Sequence, residues 1–290
     1  MESTAAPTRV RDYVTLTKPR IISLLLVTTI APMFIAGRPS WELVLVVFVG
    51  GYLMAGGANA VNMYLDRDID DRMSRTRLRP IPSGRMQPRE VLVFGLLLAT
   101  TATFLLARFA NVLTAGLALA GFYAYVFLYT RWLKRSTPQN IVIGGAAGAF
   151  PPLVGWASVT GTVDLMAVYL FLIIFYWTPP HFWALALNKQ IDYGRAGVPM
   201  APLVWGEPET KRQMVWYSVI LLAVTVLPWV MGELGMIYLV SALALNALLM
   251  HGAVRVLRAA DFVKPAWWLY GYSLLYLALL FVAMVVDRAI

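Results

Sequence analysis

The sequence predicts an all-α membrane protein of nine transmembrane helices with a cytoplasmic N-terminus, and three observations support this. First, 60% of the 290 residues are hydrophobic and only 13% are charged, for a mean hydropathy of +0.68. A soluble domain carries about 25% charge. This chain lacks the polar surface to cover a globule in water, so its solvent is lipid. Second, apolar stretches recur near 21–37, 41–65, 91–108, 110–130, 140–160, 163–187, 214–231, 233–254 and 267–286. Lipid cannot satisfy free backbone groups, so each stretch is a helix. Third, threading nine spans puts 21 of the 24 Lys and Arg residues on one side, leaving only Arg38, Arg108 and Arg288 on the other. The positive-inside rule makes the basic side cytoplasmic. One span merged or split would scramble that segregation.

The segment 1–19 contains Arg9, Arg11 and Lys18 but no apolar core with a cleavage site. It is expected to be a cytoplasmic lead-in to one transmembrane domain spanning 1–290. The net charge of +9 follows from topology, and no nucleic-acid partner is expected. The absence of cysteine excludes disulfides and thiolate metal ligands. Two connections on the basic side, roughly 66–90 and 188–213, are long, and long loops in compact proteins tend to carry function. Each follows an Asn-x-x-x-Asp at a span end and is basic and proline-containing. This suggests two pseudo-repeated four-helix halves plus a ninth helix.

The first of these motifs is Asn62-Met-Tyr-Leu-Asp66-Arg-Asp-Ile-Asp70. On a helix, residues at i, i+4 and i+8 share one face, which would gather an amide oxygen and two carboxylates. Hard oxygen donors of this kind suit Mg²⁺, which also takes substrate phosphate oxygens. Asp68 points off that face. The arginines that follow, including Arg75 and Arg79, can bind a diphosphate through bidentate hydrogen bonds. The second half supplies Asn188-Lys-Gln-Ile-Asp192, either a helix cap or the opposite wall of the same site. Lys134 and Arg135 lie on the same membrane side and are either topogenic charges or phosphate ligands. His181 follows Pro179-Pro180, and the proline pair is expected to break the helix and line a cavity. His251 is expected to be interfacial. Tyr123, Phe127, Tyr176 and Phe182 are candidate cavity aromatics, whose ring faces can stabilise an allylic cation.

The first motif and its sequel, through Arg75-Thr-Arg-Leu-Arg79-Pro80, resemble the signature of the UbiA-type intramembrane prenyltransferases. Leu16-Thr-Lys18-Pro-Arg20, Asn140 through Trp156, and His181 through Asn188 with Asp192 through Met200 resemble the branch that prenylates heme. The resemblance covers nearly the whole chain. It implies nine helices around a central cavity in a bacterial inner membrane, with the site toward the cytoplasm. It also implies Mg²⁺ as cofactor, with farnesyl diphosphate and heme b as substrates. A heme A synthase or an oxidase assembly factor would be a partner. On this pattern Asn62, Asp66, Asp70 and Asp192 hold the metal. Lys18, Arg75, Arg79, Lys134, Arg135 and Asn188 hold the diphosphate, and His181 serves the iron, a propionate or the attacking water. The family's second motif is commonly Asp-x-x-x-Asp, so Asn188 replaces one carboxylate. Other readings are an aromatic or quinone-precursor acceptor, a cation transporter, or a heme or lipid chaperone. A transporter would place its acids near the bilayer midplane rather than at span ends among arginines. A chaperone has no use for an acidic metal site.

Overall fold

A computed structural model describes residues 9–290. Residues 1–8 of the lead-in lie outside the described part. The remainder of the lead-in forms α1 (Arg9–Thr17), and Lys18 joins it to α2 (Pro19–Ala36). The chain continues as α3 (Trp41–Leu65), α4 (Arg67–Asp70), α5 (Pro88–Phe109) and α6 (Val112–Tyr123). A π-helical segment (Ala124–Leu133) then runs into α7 (Lys134–Ser136). Next come α8 (Asn140–Thr160), α9 (Leu165–Asn188), α10 (Gln190–Arg195) and α11 (Ala201–Val204). The last three helices are α12 (Glu207–Val230), α13 (Met236–Arg258) and α14 (Val263–Ala289).

Among the described residues nine helices are long and apolar enough to cross a membrane, with α6, the π segment and α7 counting as one. Each coincides with an expected span. The helices extend beyond the apolar stretches where local chemistry starts them early. Pro88 opens α5 and Pro208 sits in the first turn of α12. At these positions a missing N–H costs nothing and a fixed φ helps. Ser40 and Asn111 cap α3 and α6, accepting from the amides of Leu43 and Thr114 at 3.2 and 2.8 Å.

Two expectations about local structure are corrected. Helix α3 does not carry the first motif unbroken: it ends at Leu65, Asp66 is the cap, and Asp70 stands on the separate turn α4. The Pro179-Pro180 pair does not break α9, which runs on to Asn188. Both prolines are buried. Burial of the proline pair against the neighbouring helices holds α9 where two backbone hydrogen bonds are missing.

Two apolar cores meet along a seam. One is formed by α8, α9, α12, α13 and α14 around Trp183, Tyr276 and Phe281. The other joins α3, α5 and α6 around Val47, Leu106 and Phe122. Helices α2 and α8 contribute to both, through Met33 with Ile35 and Val154 with Leu153. Helix α8 is the most enclosed span, with 72% of its membrane-length window buried. Lipid gives helices no hydrophobic reason to associate, so close backbone approach must do it. A Cβ on Gly57 would stand 2.6 Å from the Gly95 carbonyl oxygen, and one on Gly155 would overlap the Thr29 carbonyl. Gly155→Ala should therefore separate α2 from α8 and destabilise the fold by about 1–3 kcal/mol or more. Gly148→Ala, where a Cβ meets open space, should not. Thermal denaturation of the two variants in detergent checks the contrast.

Candidate acidic diphosphate and metal site

The basic end of the bundle holds the first motif through charge pairs and ties the second to the first connection through hydrogen bonds from Ser74. Asn62, Asp66 and Asp70 are all buried, each at 4% exposure or less. The Asn62 amide nitrogen Nδ2 donates to Asp66 Oδ2 at 2.7 Å and to Thr130 Oγ1 at 3.1 Å. Lys18 Nζ donates to Asn62 Oδ1 at 2.9 Å. Lys134 Nζ pairs with Asp66 Oδ2 at 2.6 Å, and Arg79 Nη1 pairs with Asp70 Oδ2 at 2.6 Å. Three cations from three separate elements thus each hold one member of the motif. A carboxylate buried at a span end has no other means of remaining charged.

Local backbone explains the delivery of each cation. Lys18 is the only non-glycine with positive φ among the described residues, at φ 55° and ψ 61°. That left-handed turn costs about 1 kcal/mol or more. Burial and the neighbouring Arg79 push the Lys18 ammonium well below the usual lysine range, against the pull of Asp66 and Asp70. Lys134 directly follows the π segment, whose extra residue per turn resets the phase of the helix. The same segment aims Thr130 at Asn62. It also brings Tyr125 and Tyr129, stacked at 5.8 Å, within electrostatic reach of Asp66. Tyr123 and Phe127 stack on each other and are each 53% exposed. The aromatics beside the acids are therefore the pair that sequence reasoning passed over.

Arg135, expected from the resemblance to hold diphosphate, pairs with an acid outside the three-member motif. Its two terminal nitrogens each donate to Asp68 at 2.7 Å, one of them also to the Leu65 carbonyl at 2.8 Å, and it reaches Asp66 only at 3.8 Å. It clamps α4 against α7. The Arg135 hydrogen bonds hold the Asp68 carboxyl down to about 2. Asp68 does point off the Asn62–Asp66 face, as its spacing suggested.

Asp192 lies on α10, past a break at Lys189, so the second motif is also split between a long helix and a short turn. Its carboxylate accepts from the Ser74 hydroxyl at 2.8 and 2.9 Å and from the Ser74 amide at 3.2 Å. Burial opposes its charge. The Ser74 donors, with Lys189 and Arg75 nearby, outweigh burial and hold the carboxyl below its ordinary value. Ser74, four residues past Asp70, thus ties the two long connections together. It was not anticipated, because a lone loop serine carries no sequence signal. Asp192 makes no hydrogen bond to Asn62, Asp66 or Asp70, and no three His, Asp or Glu side chains among the described residues form a ready-made metal cluster.

The donor set nevertheless fits a hard cation that brings ligands of its own. Asp66 Oδ1 and Asn188 Oδ1 are buried oxygens without a hydrogen-bond partner. Such atoms are rare in a folded protein, and oxygen is what Mg²⁺ takes. His181 sits on α9, stacked between Trp177 and Tyr270 at 4.3 and 4.8 Å, with Nδ1 2.7 Å from Ser273 Oγ. Two cavities of about 410 and 500 Å³ are lined by Trp183, Trp205 and Tyr217 and by Tyr64, Gln87 and Leu92, and neither lining includes Asn62, Asp66, Asp70 or Asp192.

Lys134→Met should leave Asp66 buried without its closest cation and cost about 3 kcal/mol, the lower end for breaking a buried pair. Asp68→Asn, on a half-exposed pair, should cost under about 1 kcal/mol. Chemical denaturation in detergent separates the two. Asp192 is depressed, so its contribution is present above the unfolded carboxylate value near 4 and lost as pH falls through its lower folded value. Ser74→Ala should move that acid loss to higher pH in a melting-temperature series.

The profile of the UbiA prenyltransferase family matches residues 24–285. The protoheme IX farnesyltransferase of Roseiflexus castenholzii is 57% identical over 286 residues, covering 98% of this chain and 53% of that protein. The chain therefore spans about half the length of that relative and of several others. The protoheme IX farnesyltransferase of Symbiobacterium thermophilum is 52% identical, covering 96% of this chain and 94% of that one. Among solved structures, one of a digeranylgeranylglyceryl phosphate synthase has a TM-score of 0.77 at 18% identity, covering 96% of this chain and 98% of that one. A UbiA homologue from Archaeoglobus fulgidus, bound to GPP and Mg²⁺, has a TM-score of 0.69 at 13% identity, covering 93% and 99%. The family profile covers most of the described residues and a relative of matching length is half identical, so this chain belongs to the UbiA prenyltransferase family.

Proposed function

We propose that the protein transfers a farnesyl group from farnesyl diphosphate to a vinyl group of heme b, in a cell membrane with its site facing the cytoplasm. The observation that carries the diphosphate half is the buried acid array held by Lys18, Lys134 and Arg79, in which Asp66 keeps one oxygen without a hydrogen-bond partner. Relatives named protoheme IX farnesyltransferase supply the acceptor half. The excess of basic residues at the site end supports the orientation.

Asp66, Asp70 and Asn62 would hold Mg²⁺ from one side, and Asn188 and Asp192 from the other. Bound there, the ion supplies positive charge to neutralise the departing diphosphate. Lys18 exchanges the Asn62 amide oxygen, and Lys134 and Arg79 their acid partners, for phosphate oxygens, with Arg75 close to Asp192 completing the set. Arg135 holds the α4 turn in place rather than touching phosphate. The C1–O bond of the farnesyl group breaks with its electron pair leaving on the diphosphate. The heme vinyl π pair forms the new bond to C1. Water adds to the resulting carbocation and loses a proton, giving a hydroxyethylfarnesyl substituent. Tyr125 and Tyr129 place ring faces where the allylic cation forms, and the apolar helices keep bulk water from it. The product would pass to a heme A synthase or an oxidase assembly partner.

The decisive measurement is product mass after incubating the detergent-purified protein with heme b, farnesyl diphosphate and Mg²⁺. Farnesylated heme is expected; prenylation of a different acceptor instead would refute the heme reading. Asp66→Ala should lower turnover at least 10²-fold, as loss of a main transition-state stabiliser does. Unchanged turnover would remove the metal role.

A further inference from the structure

Ser273 is a fully buried residue of α14 in the face that packs against α9. Trp177 Nε1 donates to the Ser273 carbonyl oxygen at 2.8 Å. One turn further along α9, His181 places Nδ1 2.7 Å from Ser273 Oγ. That hydroxyl also lies 2.7 Å from the Tyr270 carbonyl oxygen, to which it donates. A hydroxyl has one proton, and a carbonyl oxygen can only accept. If Ser273 donated to His181 instead, two oxygens would stand 2.7 Å apart with no proton between them. Only a proton on His181 Nδ1 satisfies both contacts. No carboxylate hydrogen-bonds the ring among the described residues, so the neutral imidazole is the relevant form, and Nε2 carries a lone pair.

The ring is also fixed in orientation. Trp177 stacks on one face at 14° and Tyr270 on the other at 21°. Rotation of the imidazole would lose both stacks and the serine contact together. Nε2 has no hydrogen-bond partner among the described residues. An imidazole anchored through Nδ1–H, with Nε2 free, is prepared to bind a metal. His181 lies seven residues before Asn188, a rise of about 10 Å along α9. That spacing sets His181 apart from the charge pairs at the helix end, none of which it contacts.

We propose that Ser273 is a positioning residue that sets the tautomer of His181, so that Nε2 ligates the iron of the porphyrin acceptor. This rests on the heme reading given above, and it resolves which part of the acceptor His181 holds.

The test uses the full chain in detergent with heme b alone, without farnesyl diphosphate, read by absorption and by the iron–histidine stretch of the ferrous complex in resonance Raman. Wild type should show a histidine-ligated spectrum. His181→Gly should lose it, and added imidazole should restore it. Ser273→Ala should still bind heme, about tenfold more weakly, with a lowered iron–histidine frequency because Nδ1–H has lost its acceptor. Ser273→Thr, which keeps the hydroxyl, should match wild type. If His181→Gly does not purify, the Ser273 pair decides alone. An unchanged frequency in Ser273→Ala, or a wild-type spectrum in His181→Gly from an enzyme that still farnesylates heme, overturns this inference and leaves the heme reading standing. A wild-type protein that binds no heme overturns both.

Discussion

Keeping Asp66 charged is the constraint around which the basic end of this bundle is organised. Its carboxylate is 1% exposed at the end of a transmembrane helix, where an unpaired charge is costly. Its partners come from distant parts of the chain. Lys134 stands at the end of the fourth span, and Asn62 supplies an amide from the second. Lys18 arrives through Asn62 from the junction before the first span. Arg79 performs the same service for Asp70 from the intervening loop. The charge requirement thus fixes the relative height of spans that apolar packing alone would leave free to slide.

The loops at this end are structured for the same reason. Asp12 on α1 pairs with Arg85 at 2.9 Å, and Tyr13 donates to Glu90 at the start of α5. Thr76 Oγ1 donates back to the Asp70 carbonyl, and Ser74 reaches across to Asp192. Helix α1, the first long connection and α10 form one polar layer over the acids. Below it the two apolar cores meet at α2 and α8, where bulky side chains give way to glycine. The polar layer sets chemistry and register, and the seam sets distance.

Much of this was legible in the sequence, because the strongest signals are local. Nine spans follow from hydropathy, and the site end follows from charge segregation. The three-member motif follows from spacing, which survives the break at Asp66 because the chain resumes helical geometry within one residue. What was not legible depends on contacts between elements. Neighbours Lys134 and Arg135 look interchangeable, yet one meets Asp66 and the other Asp68. Tyr125 and Tyr129 displaced Tyr123 and Phe127 because a π-helix and an α-helix are written in the same residues. Pro179-Pro180 read as a break because local rules cannot see the packing that holds α9 together. Ser273 did leave a trace, as a hydroxyl inside an apolar span, but its partner is 92 residues away in the chain.

The π segment also bears on how this protein can vary in length. Ala124–Leu133 accommodates its surplus by widening the helix, with Thr130 Oγ1 accepting from Asn62 and donating to the Tyr125 carbonyl. Deleting one residue anywhere in that stretch would rotate everything after it by about 100°. Lys134 would leave Asp66, and Arg135 would leave Asp68. Side chains facing lipid here are free to change, whereas the number of residues is not.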